Sequence, residues 1–215
     1  MLQAHGIAVQ RGERQILSDI DLSLPAGQVI GVLGANGAGK STLLAALAGE
    51  LSPSVGSVTL NGRLLSAWPA VELASCRAVL PQSPSLQFDL PVATVIGMGA
   101  YPHARHSRTG AHPTNRHDTA QAAMAEDQRI LQRVLVLADV QDLYERRYRR
   151  LSGGEQQRVH LARVLYQLLL ARHGNDEYRV LMLDEPTASL DPRHQLQLLS
   201  AVYTLAHEEN VAALV

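Results

Sequence analysis

Lysine is almost absent from this 215-residue chain: of its nineteen lysine and arginine side chains, only Lys40 is a lysine. Cysteine is equally scarce. A single Cys76 can close no internal disulfide and build no cysteine-based metal cluster, which suits a reducing compartment. No uninterrupted apolar stretch approaches the ~20 residues of a bilayer-spanning helix, so membrane association is expected to run through another protein. The opening Met1-Leu2-Gln3-Ala4-His5-Gly6 lacks the charged and apolar regions of a secretion signal. Neither charge predominates: the formal net charge of −1 gives no electrostatic reason to expect nucleic acid as a partner. Internal repeats and low-complexity linkers are missing as well. What is present, 46% apolar and 18% charged residues, describes a soluble globular chain with a sizeable core.

The lone lysine stands in Gly34-Ala35-Asn36-Gly37-Ala38-Gly39-Lys40-Ser41-Thr42, which fits the phosphate-loop pattern G-x-x-x-x-G-K-S/T without a mismatch. A compact ammonium on a thin stem fits between β- and γ-phosphates where a planar guanidinium fork does not. Coding bias explains the excess of arginine but not the position of the survivor. The run from Gln28 to Leu33 reads as a buried strand feeding this loop, and Lys40 to Ala48 as a helix stopped by Gly49. In that setting the loop glycines let the chain wrap a phosphate, N–H groups at the helix start favour an anion, and Ser41 offers a hydroxyl to Mg²⁺. A nucleotide and Mg²⁺ are therefore the expected ligands.

Farther along, Val55 to Leu65 alternates around Asn61-Gly62, a hairpin signal that places antiparallel strands beside the main sheet. Ala78 to Leu80 is a short strand ending at Pro81-Gln82, and 84–91 is loop-like. From Val92 to Arg150 the pattern turns helical, interrupted between Tyr101 and Asn115; over 119–138, Ile130, Leu131, Val134 and Leu135 share one face. A helix over 154–172, a buried strand Val180 to Leu183, a helix after Pro192 and a strand beginning near Val211 complete the reading. On the strand ending at Leu183 the next residues, Asp184 and Glu185, emerge at the carboxyl edge, where open α/β sheets bind ligands. Paired with the loop at Lys40, Asp184 is assigned to the metal through water and Glu185 to the general base that polarises the attacking water.

The segment Leu151-Ser152-Gly153-Gly154-Glu155 decides the class. From physics alone it is a helix cap or an anion-accepting loop, with the two readings evenly matched. Standing between a phosphate loop and an Asp-Glu strand, it closely resembles the signature motif of ABC-type ATPases, and that resemblance covers essentially the whole chain. It implies an α/β fold: a P-loop NTPase core of ABC type with an antiparallel β subdomain and an inserted helical subdomain. The expected layout is one ATP-binding domain over 1–215, with the core at 1–90 and 158–215 and the helical part at 91–157.

The resemblance also implies roles. Gln82 is similar to the Q-loop glutamine, which touches Mg²⁺ or the attacking water and relays to the membrane subunit. Ser189-Leu190-Asp191 is similar to the D-loop that crosses the dimer interface. Two ATP molecules are expected between head-to-tail copies, each resting on one copy's phosphate loop, with Lys40, and covered by Ser152, Gly153, Gly154 and Glu155 of the other. The adenine-stacking aromatic of many relatives is replaced near Arg11, whose planar guanidinium can also stack on a base. The family's switch histidine follows the strand near Val211 and is not reached by Val215; His207 precedes that strand and substitutes poorly. The chain therefore reads as cut short of that histidine and is expected to bind ATP more securely than it turns it over.

Within the family, Gly99-Ala100-Tyr101-Pro102-His103 resembles ATPases serving importers of iron chelates, haem and vitamin B12. Extra length around 168–178, before Leu183-Asp184-Glu185-Pro186-Thr187, looks most like the haem (hemin) importer subgroup, with siderophore or vitamin B12 import as the alternative. Expected partners are a second copy, two polytopic permease subunits and, indirectly, a periplasmic or surface substrate-binding protein, all at the cytoplasmic face of the bacterial inner (plasma) membrane. A soluble ribosomal or DNA-repair ATPase fits less well: those carry two cassettes or a long coiled coil, and the stretch between Lys40 and Leu151 leaves no room for one. A P-loop kinase or GTPase leaves 151–155 unexplained. His103, His106, His112 and His117 do not share one helical face and read as a solvated loop. Arg146, Arg147, Arg149 and Arg150, beside Asp139, Asp142 and Glu145, read as a solvated face.

Overall fold

The computed structural model describes residues 1–84, 86–103, 116–171 and 178–215, with the backbone alone for 116–120. The chain forms two compact units, one of Met1–Gln82, Asn175–Pro186 and Val202–Val215, the other of Ser83–Gly174 and Thr187–Ala201.

In the first unit, β1 (Leu2–Arg11) and β2 (Arg14–Leu24) make a long antiparallel hairpin, which β4 (Val55–Leu60) and β5 (Arg63–Leu64) extend in the order β2-β1-β4-β5. The hairpin β1–β2 lies outside the sequence expectations. Its inward residues change phase, Leu2 and Ala4 before the break and Ile7 and Val9 after it, so strict alternation never runs long enough to register. Gly6 (φ +52°) sits at the break, and Gly56 (φ +80°) of β4 presses onto the His5 and Gly6 carbonyls, leaving no room for a Cβ. The expected hairpin over 55–65 turns at Asn61-Gly62, both with positive φ.

A parallel sheet in the order β3-β8-β7-β6 carries the chemistry: β3 (Val29–Ile30), β8 (Val211–Leu214), β7 (Arg179–Leu183) and β6 (Arg77–Leu80). Val180 to Leu183 and Val211 to Leu214 are wholly buried, as strands covered on both faces must be. Every strand points the same way, so residues following β3, β6 and β7 arrive at one carboxyl edge. The strand expected over 28–33 is shorter: Val32 still donates to the Val215 carbonyl at 2.7 Å, but Leu33 is 95% exposed, because the chain leaves the sheet to open the loop. Helices α1 (Lys40–Ala48) and α2 (Ala70–Cys76) belong to this unit, and Leu47, buried completely, joins Leu2, Leu24, Leu60 and Val180 in one core cluster. Each such side chain contributes roughly 1.5–3 kcal/mol by leaving water.

The second unit is helical. It holds α3 (Val92–Gly97), α4 (Arg116–Leu137), α5 (Gly153–Leu169) and the first half of α6 (Pro192–Glu209). Of the expected face on α4, Val134 and Leu135 are buried and Ile130 and Leu131 half-buried. Helix α5 packs on α3, α4 and the 3₁₀ segment Met98–His103. Gly99 permits that last approach, since a Cβ there would lie 3.0 Å from the Gln167 backbone nitrogen and closer still to the Arg163 carbonyl oxygen. Among the described residues no helix is long and apolar enough to cross a membrane.

Candidate active site

The loop between β3 and α1 is glycine-built for a geometric reason. Gly37 (φ +80°) and Gly39 (φ +97°) adopt backbone angles that side chains resist, and a Cβ on Gly39 would sit 3.1–3.3 Å from Leu17 and Ile16. Helix α1 begins on Gly39 with no capping side chain and no acidic residue in its first turn, so its first N–H groups remain directed at the loop. The Lys40 ammonium folds back along that loop, donating to the carbonyl oxygens of Gly34 at 3.0 Å and Ala35 at 3.2 Å.

The same unit brings the predicted acids to this lysine. Asp184 and Glu185 follow β7 directly, and Gln82 follows β6 by two residues, so the parallel pairing of Leu80 with Leu183 places all three at one edge. Glu185 Oε1 stands 3.4 Å from Lys40 Nζ, and its Oε2 accepts from Gln82 Nε2 at 2.6 Å. Ser41 Oγ donates to Asp184 Oδ1 at 3.1 Å. Glu185 is one of few non-glycine residues with a left-handed backbone (φ +45°), and it holds that posture at the point where the chain turns out of β7. A hydroxyl, a carboxylate and an amide oxygen are the hard donors that Mg²⁺ takes, and the uncapped helix start with a lysine above it suits a polyphosphate. The residues present fit both groups.

In the second unit, Ser152 caps α5 in a complete capping box. Glu155 Oε2 accepts from the Ser152 backbone N–H at 2.7 Å and from its hydroxyl at 2.8 Å, while Glu155 N–H donates to Ser152 Oγ at 3.4 Å. These bonds, the backbone one first, hold the Glu155 carboxyl below its ordinary range, helped by Arg146 and Arg158. Gly153 and Gly154 complete the turn, and Gly154 abuts the next loop: a Cβ there would lie 3.1 Å from the Ser189 carbonyl oxygen. Sequence reading named Asp139 and Arg146 as part of a solvated face but missed Arg158 and His194. Arg158 pairs with Asp139 at 2.9 Å, and His194 lies 2.6 Å from Asp191 and 3.5 Å from Asp139. The only sequence signal was an arginine one helical turn after Glu155.

Arg11 ends β1, exposed, beside the turn at Gly12. His207 stacks on Tyr203 at 4.0 Å with Nδ1 3.1 Å from the Tyr203 carbonyl, an arrangement local to α6. His103 Nε2 meets the Gln167 carbonyl at 2.7 Å; His106, His112 and the side chain of His117 lie outside the described residues, as does most of the extra length at 172–177. Among the described residues no cluster of histidine, cysteine and carboxylates suits a metal ion by itself.

This arrangement has counterparts among known proteins. Residues 17–188 match the ABC transporter family. The hemin import ATP-binding protein HmuV of Bordetella avium is 47% identical over 214 residues, spanning all of this chain and 75% of that protein. HmuV of Bordetella pertussis is 49% identical over the same shares, and HmuV of Pseudomonas aeruginosa 44% identical over 223 residues, covering 99% of this chain and 79% of that protein. A solved ATP-binding subunit of an ABC transporter superposes with a TM-score of 0.76 over 99% of this chain and 77% of that one at 20% identity. A dimeric ATP-binding cassette in a post-hydrolysis state, bound to ADP and Pi, gives 0.68 over 100% and 88% at 21% identity. The α/β fold is thus that of the ATP-binding cassettes, and the chain belongs to the ABC transporter family as an ATP-binding, ATP-hydrolysing subunit.

Proposed function

We propose that this chain powers hemin uptake: two copies, head to tail, bind two ATP molecules and dock on two polytopic permease subunits at the cytoplasmic face of the membrane, with a substrate-binding protein delivering hemin to the permease from outside. The cargo rests on identity of 44–49% over 99–100% of the chain to hemin import proteins. The hydrolytic roles rest on one observation: Lys40, Ser41, Gln82, Asp184 and Glu185 meet at a single sheet edge.

On this reading the Lys40 ammonium exchanges the Gly34 and Ala35 carbonyls for phosphate oxygens, and the N–H groups of 34–42 complete the cradle. Ser41, Asp184 and Gln82 would hold Mg²⁺, which supplies neutralisation of charge on the phosphoryl group. Glu185, already bonded to Gln82, orients and deprotonates the attacking water, and Gln82 in turn reports the state of the site to the permease. Ser152, Gly153, Gly154 and Glu155 of the second copy close over the γ-phosphate, and Arg11 stacks on adenine.

The test is co-expression with a hemin permease and reconstitution in proteoliposomes. Hemin with its binding protein should stimulate ATP hydrolysis and accumulate in the vesicles, while a ferric siderophore and vitamin B12 should do neither. Stimulation by either of those instead of hemin would overturn the cargo assignment and leave the ATPase roles standing.

A further inference from the structure

His194 is a histidine that the hydrolytic reading does not use, and it touches the loop that this reading places at the dimer interface. It lies in the first turn of α6, which Asp191 caps: the His194 backbone N–H donates to Asp191 Oδ1 at 3.0 Å. That bond needs no imidazole. The ring does something further. Its Nδ1 is 2.6 Å from Asp191 Oδ2 and its Nε2 is 3.5 Å from Asp139 Oδ2, so each ring nitrogen faces a carboxylate on a different element. Asp139 follows α4 with a left-handed backbone (φ +52°) and is held in turn by Arg158 of α5, through both its carboxylate and its carbonyl. One imidazole therefore joins the start of α6, the end of α4 and, through Arg158, the helix that Ser152 begins.

The spacing so fixed is tight. Gly154, two residues after Ser152, lies so close to the Ser189 carbonyl that a Cβ would stand 3.1 Å from its oxygen, and Ser189, Leu190 and Asp191 share a groove of about 330 Å³ with Ser152, Glu155 and His194. The groups facing the imidazole from the packed elements are Asp191 on its own helix cap, Asp139, Asp142 and Arg146 after α4, and Glu155 and Arg158 on α5, most of them lining a polar pocket of about 230 Å³.

We propose that His194 is a positioning residue for ATP hydrolysis, its imidazole bridging Asp191 and Asp139 so that the Ser189–Asp191 loop and the Ser152 loop present themselves to the partner copy as one rigid piece. The inference rests on the head-to-tail reading above. It predicts an effect on turnover rather than on the ATP held by one copy's Lys40 loop, which belongs to the other unit.

The experiment compares the full chain with H194Q, D139N and the double variant in steady-state ATPase, with ATP affinity measured by a fluorescent nucleotide. In H194Q, kcat should fall about three- to fivefold with unchanged affinity. D139N should bring the same loss, and the double variant no more than either single one. A parental kcat in H194Q, or additive losses in the double variant, overturns the proposal while hydrolysis by the parent upholds the ATPase reading. Parental hydrolysis no higher than that of K40A overturns both. Circular dichroism of each variant separates loss of turnover from failure to fold.

Discussion

Acidification should loosen the helical unit through His160. This side chain lies in α5 at 2% exposure, its Nε2 2.8 Å from the Tyr148 hydroxyl and its Nδ1 without a hydrogen-bond partner. Burial first, and the nearby Arg163 second, push its pKa down from 6.5 to about 4. The unfolded chain therefore takes up this proton before the folded one. Stability is undiminished above about pH 6.5 and falls as pH drops toward 4. At pH 5 the two values imply a loss of roughly 2 kcal/mol. For a chain of this size that lowers Tm by about 4–8 °C. Scanning calorimetry of the parent and H160Q at pH 7.5 and pH 5 checks it, since glutamine keeps a partner for Tyr148 and cannot titrate. The Glu155 and Asp191 carboxyls are both held low by hydrogen bonds, so their contribution is present above their ordinary values of 4.5 and 3.8 and is lost mainly below this window. If H160Q loses as much Tm between the two pH values as the parent, the reasoning is refuted.

Three further outcomes follow from geometry. Glu185→Gln should bind ATP as the parent does while kcat falls by about 10²–10⁴, and single-turnover assays with radiolabelled ATP read both; parental turnover would sink the assignment of the base. Lys40→Ala removes the ammonium from the loop and should weaken ATP binding by about tenfold to a hundredfold, measured by calorimetric titration. Gly99→Ala drives a methyl into the Arg163 carbonyl and the Gln167 nitrogen of α5 and should cost about 1–3 kcal/mol, read as a fall in denaturant midpoint.

Much of the site was legible because its residues are tied to local pattern. The phosphate loop, α1 with its Gly49 stop, the Asp-Glu pair after a buried strand and the Ser152–Glu155 cap all declare themselves within ten residues. Long-range pairing is what a single sequence hides. Nothing in the order of residues says that β8 inserts between β3 and β7, or that Asp139, Arg158 and His194 converge. The β1–β2 hairpin escaped for a local reason: the bulge at Gly6 inverts which residues face inward, so neither half is long enough to show a period of two. Likewise Leu33, apolar and next to a strand, reads as core but stands in solvent where the loop departs.

The left-handed backbone at Glu185 bears on attempts to improve this protein. A side chain at φ +45° carries a conformational penalty that glycine avoids and asparagine lessens, on the order of 1 kcal/mol. Selection for heat resistance alone would thus favour Gly or Asn at position 185. Thermally hardened descendants recovered in that way should be checked for turnover before anything else, because their easiest gain lies on the carboxylate that hydrolysis is proposed to need.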